Sequence, residues 1–254
     1  MIEFRDLDFS YRREAPIFSG FNWQAARGEA FAVLGPSGCG KSTLLALLAG
    51  LLRPAGGEVL VDGQPLSRPR PRTGLIIQDY GLLPWATVRE NAALGLRVRN
   101  FYGPDGIHAP RDYRPTLNVE PWLERLGLRE VAGQYPARIS GGQRQRTAIA
   151  RTLALDPDLL LMDEPFSSLD ALTREDLQRL TLELWREADL TIVIVTHSIE
   201  EAAVLGRRIL LLGSAPARRA VVLENPALTE PGYRESSAFH EICRELRARL
   251  EEQA

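Results

Sequence analysis

Ala30-Phe-Ala-Val-Leu34, followed by Gly35-Pro-Ser-Gly-Cys-Gly-Lys41-Ser42-Thr43 and then Leu44-Leu-Ala-Leu-Leu48, is the stretch on which the fold turns. Five apolar residues without alternation read as a strand buried on both faces. The glycines break that strand. Leucines at 44, 45, 47, 48, 51 and 52 then recur with helical spacing until Pro54, Gly56 and Gly57 end the predicted helix. Strand, glycine loop and helix together are the context in which G-x-x-x-x-G-K-[ST] has a mechanism. The glycines let backbone N–H groups turn inward around a polyphosphate, and the helix aims the positive end of its dipole at the same charge. Gly35, Pro36, Ser37, Gly38, Cys39, Gly40, Lys41, Ser42 and Thr43 are therefore candidate phosphate-binding residues. Lys41 reaches the outer phosphates and the Ser42 hydroxyl suits Mg²⁺, whereas the Cys39 side chain has no task.

Lys41 is also the single lysine among 31 basic residues. Arginine serves everywhere else a cation is used. The exception marks a place where a compact ammonium on a flexible stem does what a planar guanidinium cannot.

Further strands are predicted at Val59–Val61, Leu75–Ile77, Leu159–Met162, Ile192–Val195 and Ile209–Leu212, several of them apolar without alternation. Residues from about 80 to 155 show helical patterns and no strand, so a helical lobe is expected inside an α/β domain. Within it, residues 99–118 carry Gly103, Pro104, Gly106, Pro110 and Pro115 and read as an irregular surface excursion. Near the carboxyl end, Phe239, Ile242, Leu246 and Leu250 share one face of a predicted packing helix, with Glu245 and Arg249 spaced as an i,i+4 pair.

The 254 residues suffice for one large domain or a core with a smaller lobe. With 44% hydrophobic and 25% charged residues the composition is that of a globular chain, and a net charge of −2 argues against a polyanion-binding surface, so nucleic acid is not an expected partner. The longest apolar run, Leu44 to Leu52, falls well short of the roughly 18 residues of a membrane span. Glu3, Arg5, Asp6 and Asp8 stand where a signal peptide would be apolar, and Cys39 and Cys243 form no disulfide framework, so the cytoplasm is the expected compartment.

The run Leu159 to Met162 ends in Asp163-Glu164, which puts two carboxylates at the carboxyl edge of the sheet, where open α/β sheets bind ligands. Asp163 suits Mg²⁺ and Glu164 suits polarising a water. Their alternative reading is a solvated acidic strand end.

Ser140-Gly-Gly-Gln-Arg-Gln-Arg146, Asp163-Glu164-Pro165 and Ser167-Ser-Leu-Asp170, in this order after the phosphate loop, resemble the ABC ATPases. The resemblance spans nearly the whole chain. It implies a P-loop NTPase (RecA-like) α/β fold: a parallel-sheet core, amino-terminal antiparallel β-strands and an inserted α-helical lobe. Residues 1–79 would hold the amino-terminal strands and the first part of the ATP-binding core, 80–155 the helical lobe with the signature, 156–225 the second part of the core and 226–254 a carboxyl-terminal helical extension.

The same resemblance implies roles. Tyr11 falls at the adenine-stacking aromatic, against the alternative of cross-strand packing. Gln78 falls at the lid glutamine, which also contacts the metal. His197 falls at the switch histidine, against the alternative of a satisfied core residue. ATP and Mg²⁺ are the implied cofactors. A head-to-tail homodimer would sandwich two ATPs, Ser140, Gly141, Gly142 and Gln143 of one chain facing the γ-phosphate held by Lys41, Ser42 and Asp163 of the other. Asp170 would join the nucleotide-binding set while also capping the helix that starts at Ala171. Glu164 would be the general base.

Gln78-Asp-Tyr-Gly-Leu-Leu-Pro-Trp85 followed by Thr87-Val-Arg-Glu-Asn91 is similar to the ATPases of bacterial importers for nitrate, sulfonates and taurine. That implies membrane permease subunits as partners, a solute-binding protein beyond them, and a place at the cytoplasmic face of the cell membrane. Leu82, Leu83 and Trp85 would suit a groove for a short permease helix, or alternatively would close the two lobes on each other. A soluble non-transport ABC ATPase and an exporter subunit are the competing classes. Ile139 stands where leucine is commoner in the signature, and the chain past Leu212 is too short for a regulatory domain.

Overall fold

The computed structural model describes residues 1–12, 14–102 and 118–252. The chain divides into two units, one of Met1–Arg70, Leu161–Glu164 and Thr181–Ala254, the other of Pro71–Leu160 and Pro165–Leu180.

In chain order the first unit opens with strands β1 (Ile2–Arg12), β2 (Ala15–Ala25) and β3 (Ala30–Leu34), helix α1 (Lys41–Leu48), and strands β4 (Gly56–Val61) and β5 (Gln64–Pro65). β2, β1, β4 and β5 form an antiparallel sheet in that order. β1 and β2 alternate buried and exposed residues, the pattern of a sheet covered on one face, and Phe4, Phe21 and Trp23 pack together beneath it. Val59–Val61 thus belongs to this antiparallel sheet and not to the parallel one.

The second unit begins with β6 (Thr73–Ile76) and continues through α2 (Val88–Tyr102), α3 (Glu120–Arg125) and α4 (Gly141–Leu153). β7 (Leu159–Asp163) and α5 (Ala171–Glu187) follow. β8 (Thr191–Thr196), α6 (Ile199–Leu205), β9 (Arg208–Leu211), β10 (Val221–Glu224) and α7 (Ser237–Glu251) complete the first unit. Its main sheet has the order β10-β9-β3-β8-β7. β3 pairs in parallel with both β8 and β9, in register from Ala30 opposite Ile192 to Leu34 opposite Thr196. Every residue of β3 and β8 is buried, as the apolar runs Ala30–Leu34 and Ile192–Val195 require.

Two expectations are corrected. α1 ends at Leu48, not near Pro54. Gly50 adopts φ +72°, Leu51 N–H donates back to the Ala46 carbonyl, and a methyl at Gly50 would lie 2.6 Å from the Arg68 backbone. Leu51 and Leu52 keep helical spacing but lie past this left-handed stop. Residues 99–102, expected to be irregular, finish α2; residues 103–117 of that excursion lie outside the described residues. α7 buries Phe239, Ile242 and Leu246, and Arg249 approaches Glu245 at 3.9 Å.

Candidate functional site

The first unit gathers Tyr11, the 35–43 loop, Asp163, Glu164 and His197. β3 delivers the loop from a fully buried strand, so the turn has a rigid base. Gly38 and Gly40 take φ of +81° and +106°. A methyl at Gly40 would stand 2.5 Å from Ile17 Cγ2, and one at Gly35 2.4 Å from the Leu212 carbonyl oxygen. Glycine is therefore required both for conformation and for space. The result is a cradle of backbone opening onto the first turn of α1. Lys41 is 7% exposed, and its Nζ donates to the carbonyls of Gly35 (2.8 Å) and Pro36 (2.9 Å). The chain's one lysine ammonium is thus held at the carbonyls of a backbone turn of the kind that cradles polyphosphates. Burial pushes the Cys39 thiol up from its ordinary value, which keeps it protonated and inert.

β7 carries Asp163 to the same place. The Ser42 hydroxyl donates to Asp163 Oδ1 at 3.2 Å, joining residues 121 apart in sequence. Burial raises the Asp163 carboxyl above its usual range, opposed chiefly by the Ser42 hydrogen bond. A desolvated carboxylate beside a hydroxyl is a donor set of the type Mg²⁺ takes, all oxygen and short of compensating charge.

Glu164 has φ +44°, a left-handed conformation that costs a residue with a Cβ about 1–3 kcal/mol. Its N–H donates to the Val195 carbonyl at 2.9 Å, and its Oε2 lies 3.0 Å from His197 Nδ1. The turn of the backbone takes Glu164 out of line with β7 and brings its carboxylate to the histidine. The loop carrying His197 is fixed by its neighbours. Thr196 Oγ1 donates to the buried Glu201 carboxylate and accepts from the Ser198 N–H, and Ser198 Oγ accepts from Glu201 N–H to cap α6. Tyr11 is 65% exposed; its ring meets Phe9 edge-on at 5.0 Å, and its hydroxyl lies 3.3 Å from Thr43 Oγ1. An open aromatic face beside the phosphate loop is available to a base, and the ring contact with Phe9 runs along the same strand, β1.

The second unit holds Gln78, the 140–143 segment and Asp170. Ser140 Oγ accepts from Gln143 N–H (3.2 Å) while Gln143 Oε1 accepts from Ser140 N–H (3.0 Å), a reciprocal cap on α4. Gly141 and Gly142 form the first turn of that helix. Gly142 is tight against α5, since a methyl there would stand 2.4 Å from Thr173 Cγ2. Asp170 Oδ1 accepts from Thr173 N–H at 3.1 Å, and Thr173 holds its carboxyl below the usual range. Gln78 is exposed beyond β6 and lines a cleft of about 380 Å³ with Tyr80, Arg144 and Ser168. Trp85 is 73% exposed, on a loop organised by Asn91, which is fully buried. Asn91 Oδ1 accepts from Leu83 N–H, and Nδ2 donates to the carbonyls of Leu83, Ala86 and Thr87. Asn91 closes the Thr87-Val-Arg-Glu-Asn91 string, but its part in holding this loop is not legible in it.

Among the described residues no helix is long and apolar enough to cross a membrane.

Residues 18–167 match the family model described as ABC transporter. The chain is 39% identical over 235 residues to the aliphatic sulfonates import ATP-binding protein of Bacillus cereus, covering 92% of this chain and 88% of that one. It is 45% identical over 193 residues to the taurine import ATP-binding protein of Pseudomonas aeruginosa, covering 76% and 70%. The nitrate import ATP-binding protein NrtC of Synechococcus elongatus is 41% identical over 234 residues, 89% of this chain and 34% of that longer one. Among solved structures, cbiO1 of Clostridium perfringens, part of the ABC transporter complex cbiONQ, superposes with a TM-score of 0.75 at 26% identity, covering 99% of this chain and 96% of that one. The ATP-binding cassette MJ0796, dimeric in a post-hydrolysis state with ADP and Pi, does so at 0.72 and 29%, covering 88% and 98%. With the phosphate loop, the paired carboxylates and the capped Ser-Gly-Gly-Gln segment all in place, and matches over most of its length, this chain belongs to the ABC transporter family, as an ABC ATPase.

Proposed function

We propose that this ABC ATPase is the ATP-binding and ATP-hydrolysing subunit of a bacterial importer for a small solute of the sulfonate, taurine or nitrate kind. The observation that carries the catalytic part is the juxtaposition of a hydroxyl–carboxylate pair, Ser42 and Asp163, with a carboxylate–imidazole pair, Glu164 and His197, in one unit with the glycine cradle. The importer part rests on the names of the relatives just described.

The triphosphate would lie in the 35–43 loop, its charge met by backbone N–H groups, the α1 dipole and Lys41, with the base on Tyr11. Lys41 would exchange its bonds to the Gly35 and Pro36 carbonyls for phosphate oxygens. Ser42 and Asp163 would hold Mg²⁺, which when bound neutralises charge on the phosphate oxygens. Glu164 takes a proton from a water whose oxygen attacks the γ-phosphorus as the bond to the β-phosphate oxygen breaks, giving ADP and phosphate. His197, with Nδ1 facing Glu164, leaves Nε2 for the γ-phosphate and so orients attacking water and leaving group together.

Ser140, Gly141, Gly142 and Gln143 of a second copy would complete each site, with Asp170 beside them, so two chains close head to tail over two ATPs. The γ-phosphate is the charge that offsets bringing positive helix ends together, and its loss favours opening. Leu82, Leu83 and the open Trp85 would receive a permease segment at the cytoplasmic face of the membrane, with a solute-binding protein beyond it. The 80–155 lobe acts in this scheme as the part that transmits closure. Accumulation of labelled taurine, an alkanesulfonate and nitrate, in cells whose copy carries Glu164→Gln, tests this reading. Loss of uptake of one of these solutes is expected, and unchanged uptake of all three overturns it.

A further inference from the structure

Two loops of the second unit are each pinned independently. On one, just after Gln78, Tyr80 takes φ +61° although it bears a bulky side chain. Its N–H donates to the Ile77 carbonyl at 2.9 Å, and Arg151, its guanidinium largely buried, donates to the carbonyls of Tyr80 and Gly81 at 2.6 Å each. Burial lowers the Arg151 pKa from its ordinary value, consistent with a charge buried to hold backbone. On the other, Ser167-Ser-Leu-Asp170, Arg174 donates to the carbonyls of Phe166 (3.3 Å) and Leu169 (2.7 Å), and Asp170 caps α5. The two loops lie 88 residues apart in sequence, yet the Tyr80 hydroxyl and Ser168 Oγ share a hydrogen bond of 2.6 Å.

We infer that Tyr80 and Ser168 are positioning residues, whose hydrogen bond couples the Gln78 loop to the Ser-Ser-Leu-Asp turn during the ATPase cycle. The inference deepens the proposed function and rests on it. Tyr80 is buried, its backbone is held left-handed by Arg151, and the ring spans from that anchored backbone to Ser168. The bond is therefore made between two preorganised loops, and its cost in side-chain freedom is small. Strained, over-determined backbone of this kind clusters at switch regions. The cleft lined by Gln78, Tyr80, Arg144 and Ser168 lies at the same place and leaves room for the contact to break or shift without collision. A displacement of Gln78 is thereby passed to Ser168 and on to Asp170, two residues away, which the proposed sandwich places at the partner chain. Neither residue touches the reacting atoms.

The test is a double-mutant cycle with Tyr80→Phe, Ser168→Ala and the pair together, in the full-length chain. Equilibrium ATP affinity, kcat and KM for Mg-ATP, and Tm are measured beside wild type and Lys41→Ala. A lost hydrogen bond corresponds to about two- to tenfold in a rate. Each single variant is expected to lower kcat by about that factor, with ATP affinity and Tm unchanged, and the pair is expected to lose no more than either single. A positioning role thus moves kcat and spares binding, which a merely structural role does not do. Wild-type kcat in both single variants, multiplicative losses in the pair, or losses that track a falling Tm each overturn the inference while the ATPase reading stands. Hydrolysis by wild type that persists undiminished in Lys41→Ala overturns both.

Discussion

Lys41 carries more of the account than any other side chain. Its Nζ holds two loop carbonyls, so its removal takes away two charge-assisted hydrogen bonds of the loop as well as the cation a phosphate would meet. Such bonds contribute about 1.5–3 kcal/mol each. Lys41→Ala is expected to weaken ATP binding by at least about tenfold in calorimetric titration, and to lower Tm because the bonds to the Gly35 and Pro36 carbonyls go with it. Undiminished affinity would remove Lys41 from the phosphate site. Lys41 was legible in the sequence twice over, by its place in the glycine loop and by being the only lysine. The Ser42–Asp163 pair was legible through motif alone. Thr196, Glu201, Tyr80 and Ser168 were not, because a hydrogen bond between hydroxyls 88 residues apart, or between a hydroxyl and a buried carboxylate under a histidine, leaves no periodicity and no fixed spacing to read.

Helix ends and helix contacts set the geometry of the second unit. Asn91 satisfies one N–H and three carbonyls of the loop that bears Leu83 and Trp85. Asn91→Ala takes the side-chain partner from the Leu83 N–H and the Ala86 carbonyl, while the Leu83 and Thr87 carbonyls keep the N–H groups of Ala86 and Asn91; the cost is about 1–3 kcal/mol, and a Tm lower by several degrees is expected in thermal unfolding. At the start of α2, Glu90 accepts from both the N–H and the hydroxyl of Thr87, which hold its carboxyl below the usual range. A carboxylate with lowered folded pKa contributes stability above its unfolded pKa and loses it as pH falls through the folded one. The Thr87 amide resonance is therefore expected to titrate below the ordinary glutamate range in an NMR pH series. Gly142→Ala drives a methyl into Thr173 Cγ2 between α4 and α5, for about 1–3 kcal/mol. Thr173→Ser removes that methyl, and the double variant is expected to regain part of the lost Tm. β3, β7 and β8 were readable as strands because burial on both faces leaves an unbroken apolar run. The end of α1 was misread because Leu51 and Leu52 continue the helical spacing past Gly50, and a left-handed φ is invisible to hydrophobic periodicity. The parallel or antiparallel fate of Val59–Val61 was likewise unreadable, since three apolar residues fit either sheet and the register with β1 decides it.

At the scale of the molecule, the candidate residues divide between two units of one chain, and no ATP site is complete in the proposed scheme until a second copy supplies Ser140 to Gln143. The nucleotide is then the bond between subunits, and hydrolysis is the event that releases it. Glu164→Gln keeps Lys41, Ser42 and Asp163 intact while removing the base, whose contribution is about 10²- to 10⁴-fold. It should therefore hold ATP and remain closed. Light scattering of this variant with and without Mg-ATP measures that closure directly. A mass that rises from 28.3 kDa to twice that value with Mg-ATP, and does not rise when Lys41→Ala is added, is the predicted result. A mass that stays at that of the single chain at saturating Mg-ATP would contradict nucleotide-driven closure of two copies.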